Sequence, residues 1–263
     1  MGPPSSGGAL LINMLNMMEN YSEDSLQWNS SDYVHIMTEI QRRAYSDRAK
    51  HMGDPDYWEV PLGMFKSKEY AKVRSDDIDM NLATPSNTVY PGNPNEYESP
   101  ETTHYSVVDQ WGNAVSVTTT INLSYGNGCV VDGAGFFLNN EMDDFSSKPG
   151  NPNAFGLIGN EANAIAPEKR PLSSMTPTIV MKDNKPFLVV GSPGGSTIIT
   201  TTMQTILNVI NFEMDIKEAV CAPRFHSQWL PDVIQIEPRG LSEDVLSNIR
   251  LRGHEIIYRG CLL

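Results

Sequence analysis

Residues 101–109 of the 263-residue chain read ETTHYSVVD, and the alternating stretch AVSVTTTIN follows at 114–122 after a short turn. Period-two alternation on both sides of residues 110–113, QWGN, predicts a β-hairpin. Upstream, residues 81–100 contain four prolines and show no periodicity, which is typical of a long functional loop or of a linker. Thr102 therefore lies where a loop gives way to a strand.

Thr102 has two interpretations. A threonine at a chain N-terminus can act as a nucleophile, because its own α-amino group, with a pKa of about 7.7–8.0, can take the hydroxyl proton. The β-branch also restricts χ1 and so holds the hydroxyl in few positions. Alternatively, Thr102 and Thr103 simply begin a strand, where β-branched residues are common. The hairpin alone favours the strand, so the case for catalysis depends on the rest of the chain.

Composition narrows the function classes. Hydrophobic residues make up 40% and charged residues 19% of the chain, which indicates a globular protein. A net charge of -13 argues against sequence-independent binding of nucleic acid, which requires a basic face. Cys129, Cys221 and Cys261 are too few and too widely spaced for a disulfide framework, so we expect reduced, mostly buried thiols. No apolar run reaches membrane-spanning length.

Periodicity predicts the remaining elements. Helical spacing indicates helices over 9–18, capped by Ser5 or Ser6, then over 32–50, 67–74, 197–211 and 242–251. On the second helix, Arg42, Arg43, Asp47 and Arg48 occupy the face opposite the apolar residues. A second hairpin is predicted over 178–190 and a later strand over 233–236. Few strand–helix–strand alternations occur, so the pattern favours an α+β or layered αββα arrangement.

Gly194 and Gly195 lie at the predicted junction between a strand and a helix. Unhindered backbone N–H groups at a helix N-terminus favour an anion, which is either a phosphate or the oxyanion of a tetrahedral intermediate. The glycine spacing matches neither the Walker nor the Rossmann pattern, which argues against a nucleotide site. A plain glycine-rich turn is the alternative.

Two polar clusters are further candidates. Glu141 and Asp144 belong to the run EMDD, which is usually a solvated turn, but in a pocket Asp144 would bind a cationic amine. A metal is less favoured, because no histidine is near in sequence. Ser173 and Ser174 follow residues 170–172, RPL, and offer two hydroxyls that suit a carboxylate. Read alone, this stretch is a loop.

Taken in order, these pieces resemble the γ-glutamyltranspeptidase family of N-terminal-nucleophile hydrolases, whose precursor cuts itself into a large and a small subunit. The resemblance covers nearly the whole chain. The matching motifs are PPSSGG at 3–8, the block at 49–55, TTHYS at 102–106, LNNEMDDF at 138–145, RPLSSM at 170–175, GSPGG at 191–195 and APRFH at 222–226.

The resemblance implies a set of catalytic roles. Thr102 would attack the carbonyl of Glu101 to split the precursor, and its freed amine would then serve as the base. Its hydroxyl would form a γ-glutamyl ester with the substrate. Thr120 matches the threonine that orients the nucleophile, and Gly194 and Gly195 match the oxyanion hole.

The resemblance also implies how substrate is held. Asn122, Glu141 and Asp144 match the residues around the substrate α-amino group, and Ser173 and Ser174 match those near its α-carboxylate. The expected substrates are small γ-glutamyl compounds such as glutathione, with water or an amino-acid or peptide amine as acceptor. No cofactor, metal or nucleic acid is expected.

The implied fold is a partial αββα sandwich, with residues 1–101 as the end of the large-subunit region and residues 102–263 as the small-subunit region. The large-subunit remainder would be a partner and would supply an arginine to the substrate carboxylate. We therefore expect the chain to be a fragment. Residues 149–160 match a lid loop, with Phe155 where bacterial relatives carry tyrosine. Family members are usually exported, to the periplasm or beyond the cell.

Two other hypotheses remain at the sequence level. A related acylase or polyglutamate-cutting enzyme would share the nucleophile, but Glu141, Asp144 and the serine pair favour a free amino-acid head group. A truncated, inactive remnant would keep the motifs without performing the chemistry. The intact motifs favour an active design, and the chain termini favour the remnant.

Overall fold

Helix α2 (Ser31–His51) forms the centre of the core in the computed structural model, which describes residues 1–22, 26–90, 102–146, 148–151 and 157–260. The Ser30 hydroxyl starts the helix as its N-cap by accepting a hydrogen bond from Tyr33 N at 3.2 Å. Basic residues in the last turn suit the negative C-terminal end of the helix dipole. The prediction of a helix over 32–50 is confirmed.

The other helices surround α2 and share its core. Helix α1 contacts α2, α4 and α5, and α7 contacts α2. Their bounds are α1 Gly7–Met18, α3 Leu62–Lys66, α4 Lys68–Ser75, α5 Thr197–Ile210, α6 Ile216–Cys221 and α7 Glu243–Leu251. Each long helix predicted from periodicity is present within a residue or two of the expected bounds.

Short sheets complete the fold. Strands β1 and β2 form one antiparallel hairpin, β3 and β4 form a second, and β5, β6 and β7 form a three-stranded sheet in that order. Strands β6 and β7 are parallel and are connected through α7. The bounds are β1 Thr103–Val108, β2 Ala114–Thr119, β3 Thr178–Lys182, β4 Lys185–Val190, β5 Phe225–His226, β6 Ile234–Ile236 and β7 Ile256–Tyr258. Both predicted hairpins are confirmed, and the fold is of the α+β type.

The two hairpins are held side by side, and this contact positions the candidate site. The Ser106 hydroxyl on β1 donates to the carbonyl of Val189 on β4 at 3.1 Å, and the Ser116 hydroxyl on β2 donates to the Val190 carbonyl at 3.1 Å. Gly191, just after β4, lies so close to His104 that an added Cβ would be 2.3 Å from the imidazole ring. The start of β1 is therefore fixed next to the loop that carries Gly194 and Gly195.

Tertiary contacts determine what the side chains do at two places on the predicted helices. Ser6 is the N-cap residue of α1, but its side chain makes no capping bond and instead donates to the Ser173 carbonyl at 2.8 Å. The charged side of α2, opposite its apolar residues, is buried as well, because neighbouring elements cover the helix on all sides. Its four charged side chains there are buried: Arg42, Arg43, Asp47 and Arg48.

The cysteines also depart from expectation. Cys129 and Cys221 are free thiols, but both are exposed rather than buried, since each lies on an outer turn or a short surface helix. Cys261 and Phe155 lie outside the described residues, as does Glu101. In the described part of the chain, no helix combines the length and apolar character needed to cross a membrane.

Candidate active site

A small cavity of about 30 Å³ lies where the open end of the first hairpin, the loop at 172–175, α2 and the start of α5 meet. Most of the residues predicted to carry chemistry line it, although they are far apart in sequence. The lining residues are Arg48, Thr102, Thr120, Asn122, Asp144, Leu157, Leu172, Ser173, Ser174, Met175, Gly195, Ser196 and Ile198.

Thr102 and Thr120 face each other across the open end of the first hairpin. The register pairs Thr103 with Thr119, so the next residue outward on each strand is a threonine that lines the cavity. Thr102 is half-buried, and the Thr120 hydroxyl accepts a hydrogen bond from Asn122 N at 2.8 Å. The hairpin thereby presents two hydroxyl groups at one point.

Asn122 carries an unused acceptor into the cavity. The residue is 1% exposed and adopts a left-handed backbone with φ of 72°, which asparagine tolerates better than most residues. Its amide Nδ2 donates to the Asn140 carbonyl at 3.1 Å, whereas Oδ1 has no hydrogen-bond partner among the described residues. Buried acceptors are rarely left unpaired, so this oxygen is suited to a ligand that donates.

Glu141 and Asp144 form the acidic side of the site. They begin and end one short 3-10 helix, and only Asp144 lines the cavity. Burial, first, and then the neighbouring Glu141 raise the pKa of Asp144 to about 8, while Arg48 opposes the rise; burial also raises the pKa of Glu141. Two half-buried carboxyl groups that share a hydrogen bond favour one proton between them, or a bound cation.

Ser173 and Ser174 are held by the N-terminal segment. Ser5 pairs with Ser173 as a parallel bridge, Ser6 N donates to the Ser173 carbonyl at 2.9 Å, and the Ser5 hydroxyl donates to the Met175 carbonyl at 2.7 Å. A side chain at residue 7 could not fit, because an added Cβ would be 2.3 Å from the Met175 carbonyl oxygen. The motifs at 3–8 and 170–175 are therefore one structural unit.

An ion pair between the half-exposed Arg170 and the buried Asp54 fixes the same loop from its other end. Arg170 donates from its backbone N and from Nε to Asp54 Oδ2, at 2.8 and 2.9 Å. The Asp54 side chain is fully buried, and these hydrogen bonds hold its pKa far below the ordinary range. The block at 49–55 thus reaches the candidate site through Arg170.

The glycine loop lies beside the threonines. Gly194 and Gly195 have φ of 124° and 59°, values that favour glycine, and α5 begins two residues later. Gly195 lines the cavity, and Gly194 is its neighbour outside the lining set. Sequence reasoning missed Arg48 and Ser196, which also line the cavity, because nothing in the helical or loop pattern marks either of them as reaching a site.

Comparison with known proteins shows the family to which the chain belongs. The family profile described as Gamma-glutamyltranspeptidase matches residues 1–260. The chain is 50% identical over 256 residues to the glutathione hydrolase proenzyme of Escherichia coli strain K12, covering 97% of this chain and 44% of that protein. It is 39% identical over 269 residues to the glutathione hydrolase proenzyme of Bacillus subtilis strain 168, covering 96% of this chain and 43% of that protein.

Solved structures give the same result. The chain superimposes on a T380A mutant of Helicobacter pylori gamma-glutamyltranspeptidase with a TM-score of 0.59 at 66% identity, covering 60% of this chain and 84% of that one. It superimposes on cephalosporin acylase from Bacillus halodurans with a TM-score of 0.79 at 26% identity, covering 98% and 44%.

The α+β fold, the threonine pair beside a glycine loop and these neighbours define the class, that of N-terminal-nucleophile hydrolases and acylases made as proenzymes. Within that class, the chain belongs to the γ-glutamyltranspeptidase family. It spans less than half the length of the curated relatives it matches.

Proposed function

We propose that the chain carries the nucleophile half of an enzyme that transfers or hydrolyses γ-glutamyl groups, from glutathione and other γ-glutamyl compounds. The observation that supports this most is the convergence of Thr102, Thr120, Asn122, Asp144 and the serine pair on one cavity. Residues 1–101 form the end of the large-subunit region, and residues 102–263 form most of the small subunit.

The first chemical step is self-cleavage before Thr102. The Thr102 hydroxyl oxygen attacks the carbonyl carbon of Glu101, and the peptide C–N bond breaks to leave an ester and a free Thr102 amine. Water then hydrolyses the ester. The products are a chain that ends in the Glu101 carboxylate and a second chain that begins with Thr102.

Turnover uses the same hydroxyl. The Thr102 α-amine accepts the hydroxyl proton as the oxygen attacks the γ-carbonyl carbon, and the backbone N–H groups of Gly194 and Gly195 stabilise the oxyanion. The leaving amine departs with the proton, and a γ-glutamyl ester remains on Thr102. Water or an acceptor amine then attacks this ester and restores the hydroxyl. Thr120 orients the nucleophile from the facing strand end.

The substrate head group matches the charges around the cavity. Its α-ammonium group is held by Asp144, Glu141 and the free Oδ1 of Asn122, and its α-carboxylate is held by Ser173 and Ser174. This acidic side favours a γ-glutamyl substrate over acyl groups that lack the amino-acid head group. A related acylase is the second candidate, because the acylase fold matches nearly the whole chain.

We also propose a partner subunit and a cellular location for the protein. The large-subunit remainder completes an αββα sandwich, and the exposed side chains of Tyr105, Val107 and Val108 on β1 support a further layer on that hairpin. An exported location, periplasmic or extracellular, follows from the family resemblance alone.

Intact-mass measurement of the purified chain tests the first step. The parent is expected to give two masses that correspond to a cut between Glu101 and Thr102, whereas Thr102→Ala gives one uncut chain. Thr103→Ala is the matched control and should still cut, because its hydroxyl belongs to β1 and does not line the cavity. A single full-length mass for the parent, even with the large-subunit remainder added, would contradict the proposal.

Turnover is tested with γ-glutamyl-p-nitroanilide and the corresponding unsubstituted acyl anilides. Release of p-nitroaniline only from substrates with the free amino-acid head group is expected. Cleavage of the unsubstituted anilides alone would favour the acylase.

A further inference from the structure

Arg48 is a buried arginine with no carboxylate partner among the described residues. Its side chain is 3% exposed, and it lines the candidate cavity. Other buried arginines are paired: Arg42 and Arg43 contact Glu39, and Arg224 contacts Glu237. An unpaired buried charge is costly, so a protein that keeps one has a use for it.

The guanidinium group is committed to two serine hydroxyls instead. Arg48 Nε donates to Ser6 Oγ at 2.9 Å, and Nη2 donates to Ser174 Oγ at 3.2 Å. Ser6 Oγ in turn donates to the Ser173 carbonyl at 2.8 Å. Because Ser174 accepts from a cation, its own proton is free to point at an acceptor in the cavity, which is the orientation an anionic ligand requires.

The cavity has a cationic side and an acidic side. Arg48 lies on one side and Asp144 on the other, close enough for each to influence the pKa of its counterpart without forming an ion pair. Burial lowers the pKa of Arg48 to about 10, which still leaves it charged at neutral pH. A ligand with an ammonium and a carboxylate on one carbon would satisfy both sides at once.

Building on the proposed function, we infer that Arg48 is a positioning residue for the substrate α-carboxylate, acting through the Ser174 hydroxyl and its own positive charge. This chain supplies that charge itself, apart from any arginine of the large-subunit remainder. The role predicts discrimination between an α-carboxylate and a neutral α-amide on otherwise identical ligands.

The test is calorimetric binding of L-glutamate and of its α-amide, isoglutamine, to the full chain and its variants. A charge-assisted contact is stronger than a neutral one, and a tenfold difference in affinity corresponds to about 1.4 kcal/mol. The parent is therefore expected to prefer glutamate by about tenfold or more, and Arg48→Met should reduce the preference to less than about twofold. Arg48→Lys, which keeps the charge without the planar fork, should retain part of it.

Arg74→Met is the matched control, because Arg74 is ion-paired with Asp47 and does not line the cavity. It should lower thermal stability and leave the ligand preference unchanged. Equal weakening of both ligands by Arg48→Met would show a merely structural role and overturn the inference. So would a parent that binds neither ligand or prefers neither. Binding requires no turnover. Failed cleavage at Thr102 would therefore contradict the proposed function, while the binding measurement would still test the role of Arg48.

Discussion

At the scale of one residue, burial changes the pKa of Asp144 and so makes this carboxyl group suited to binding a cation. An aspartate in a solvated turn is ionised at neutral pH, and EMDD in sequence is typical of such a turn. Here burial and Glu141 raise the pKa of Asp144 to about 8. An arriving ammonium group would ionise the carboxyl, so ligand binding should release a proton near neutral pH.

The raised pKa gives a prediction for stability against pH. Between about pH 4 and pH 8 the folded state keeps a proton on Asp144 that the unfolded state loses, so this group lowers the free energy of unfolding as pH rises. Asp144→Asn removes the titration. From pH 5 to pH 8, the free energy of unfolding of the variant should therefore rise relative to that of the parent. The rise should be at least the equivalent of one pKa unit, about 1.4 kcal/mol.

Urea denaturation of both proteins at pH 5 and pH 8 measures this difference. Asp143→Asn, in the same short 3-10 helix but outside the cavity lining, is the comparison. It removes only one of the lesser causes of the raised Asp144 pKa, so its gain should be clearly smaller. If Asp144→Asn and the parent lose stability in parallel over this range, the carboxyl titrates normally and the account of its burial is wrong.

At the scale of elements, the sequence predicts where most helices and strands lie but not which residues they contact. The α5 and β1/β2 predictions rest on local periodicity, which the fold preserves. The burial of α2 on every side could not be predicted, because it depends on partners from other segments, such as Asp77 for Arg43 and the serine hydroxyls for Arg48. Ser6 shows the same limit: its position at a helix start is local, but its hydrogen-bond partner is Ser173.

The Asp54–Arg170 ion pair connects two separate segments of the fold, and its contribution to stability can be measured. It connects the segment after α2 to the loop that carries Ser173 and Ser174. Asp54→Asn removes a fully buried carboxylate and its charge-assisted hydrogen bonds, so the free energy of unfolding should fall by about 1.5–3 kcal/mol. Because this carboxyl has a depressed pKa, its contribution is present above about pH 4 and should fade as the solution is made more acidic.

Asp56→Asn is the matched control for this joint. Asp56 also contacts Arg170, at 2.6 Å, but its side chain is 72% exposed, and such surface pairs contribute about 0–1 kcal/mol. Urea denaturation at pH 7 compares the two variants with the parent. Equal losses for both variants would mean that burial of Asp54 does not strengthen the pair.

At the scale of the molecule, chemistry rather than size identifies the site. A much larger cavity, about 1070 Å³, lies among apolar residues of α1, α5 and β3, and it shares no lining residue with the small cavity around Thr102. The candidate site could be assembled from sequence only through the family resemblance. Local pattern carries no information that residues 48, 102, 144, 174 and 195 meet, because their separation along the chain leaves that meeting to tertiary packing.

The parts of the chain before and after the predicted cleavage point pack tightly against each other. Helices α1 and α2, before Thr102, pack against α5, α7 and β5, after it. Polar contacts cross as well: the Trp229 indole donates to the Ser86 carbonyl at 2.8 Å, and Ser227 N donates to Gln41 Oε1 at 2.8 Å. The two pieces share one hydrophobic core, so a cut before Thr102 removes a covalent link and leaves this core intact.

After cleavage, the pieces 1–101 and 102–263 should therefore elute together in size-exclusion chromatography and separate only in denaturant. Native mass spectrometry should give one complex with the summed mass. A recognition site for a specific protease, placed just before residue 102 in Thr102→Ala, makes the same cut without self-processing and separates packing from catalysis. Pieces that separate in buffer after either cut would show that the shared core depends on the covalent connection. The buried contacts between the two pieces would then be too weak to hold two independent chains together.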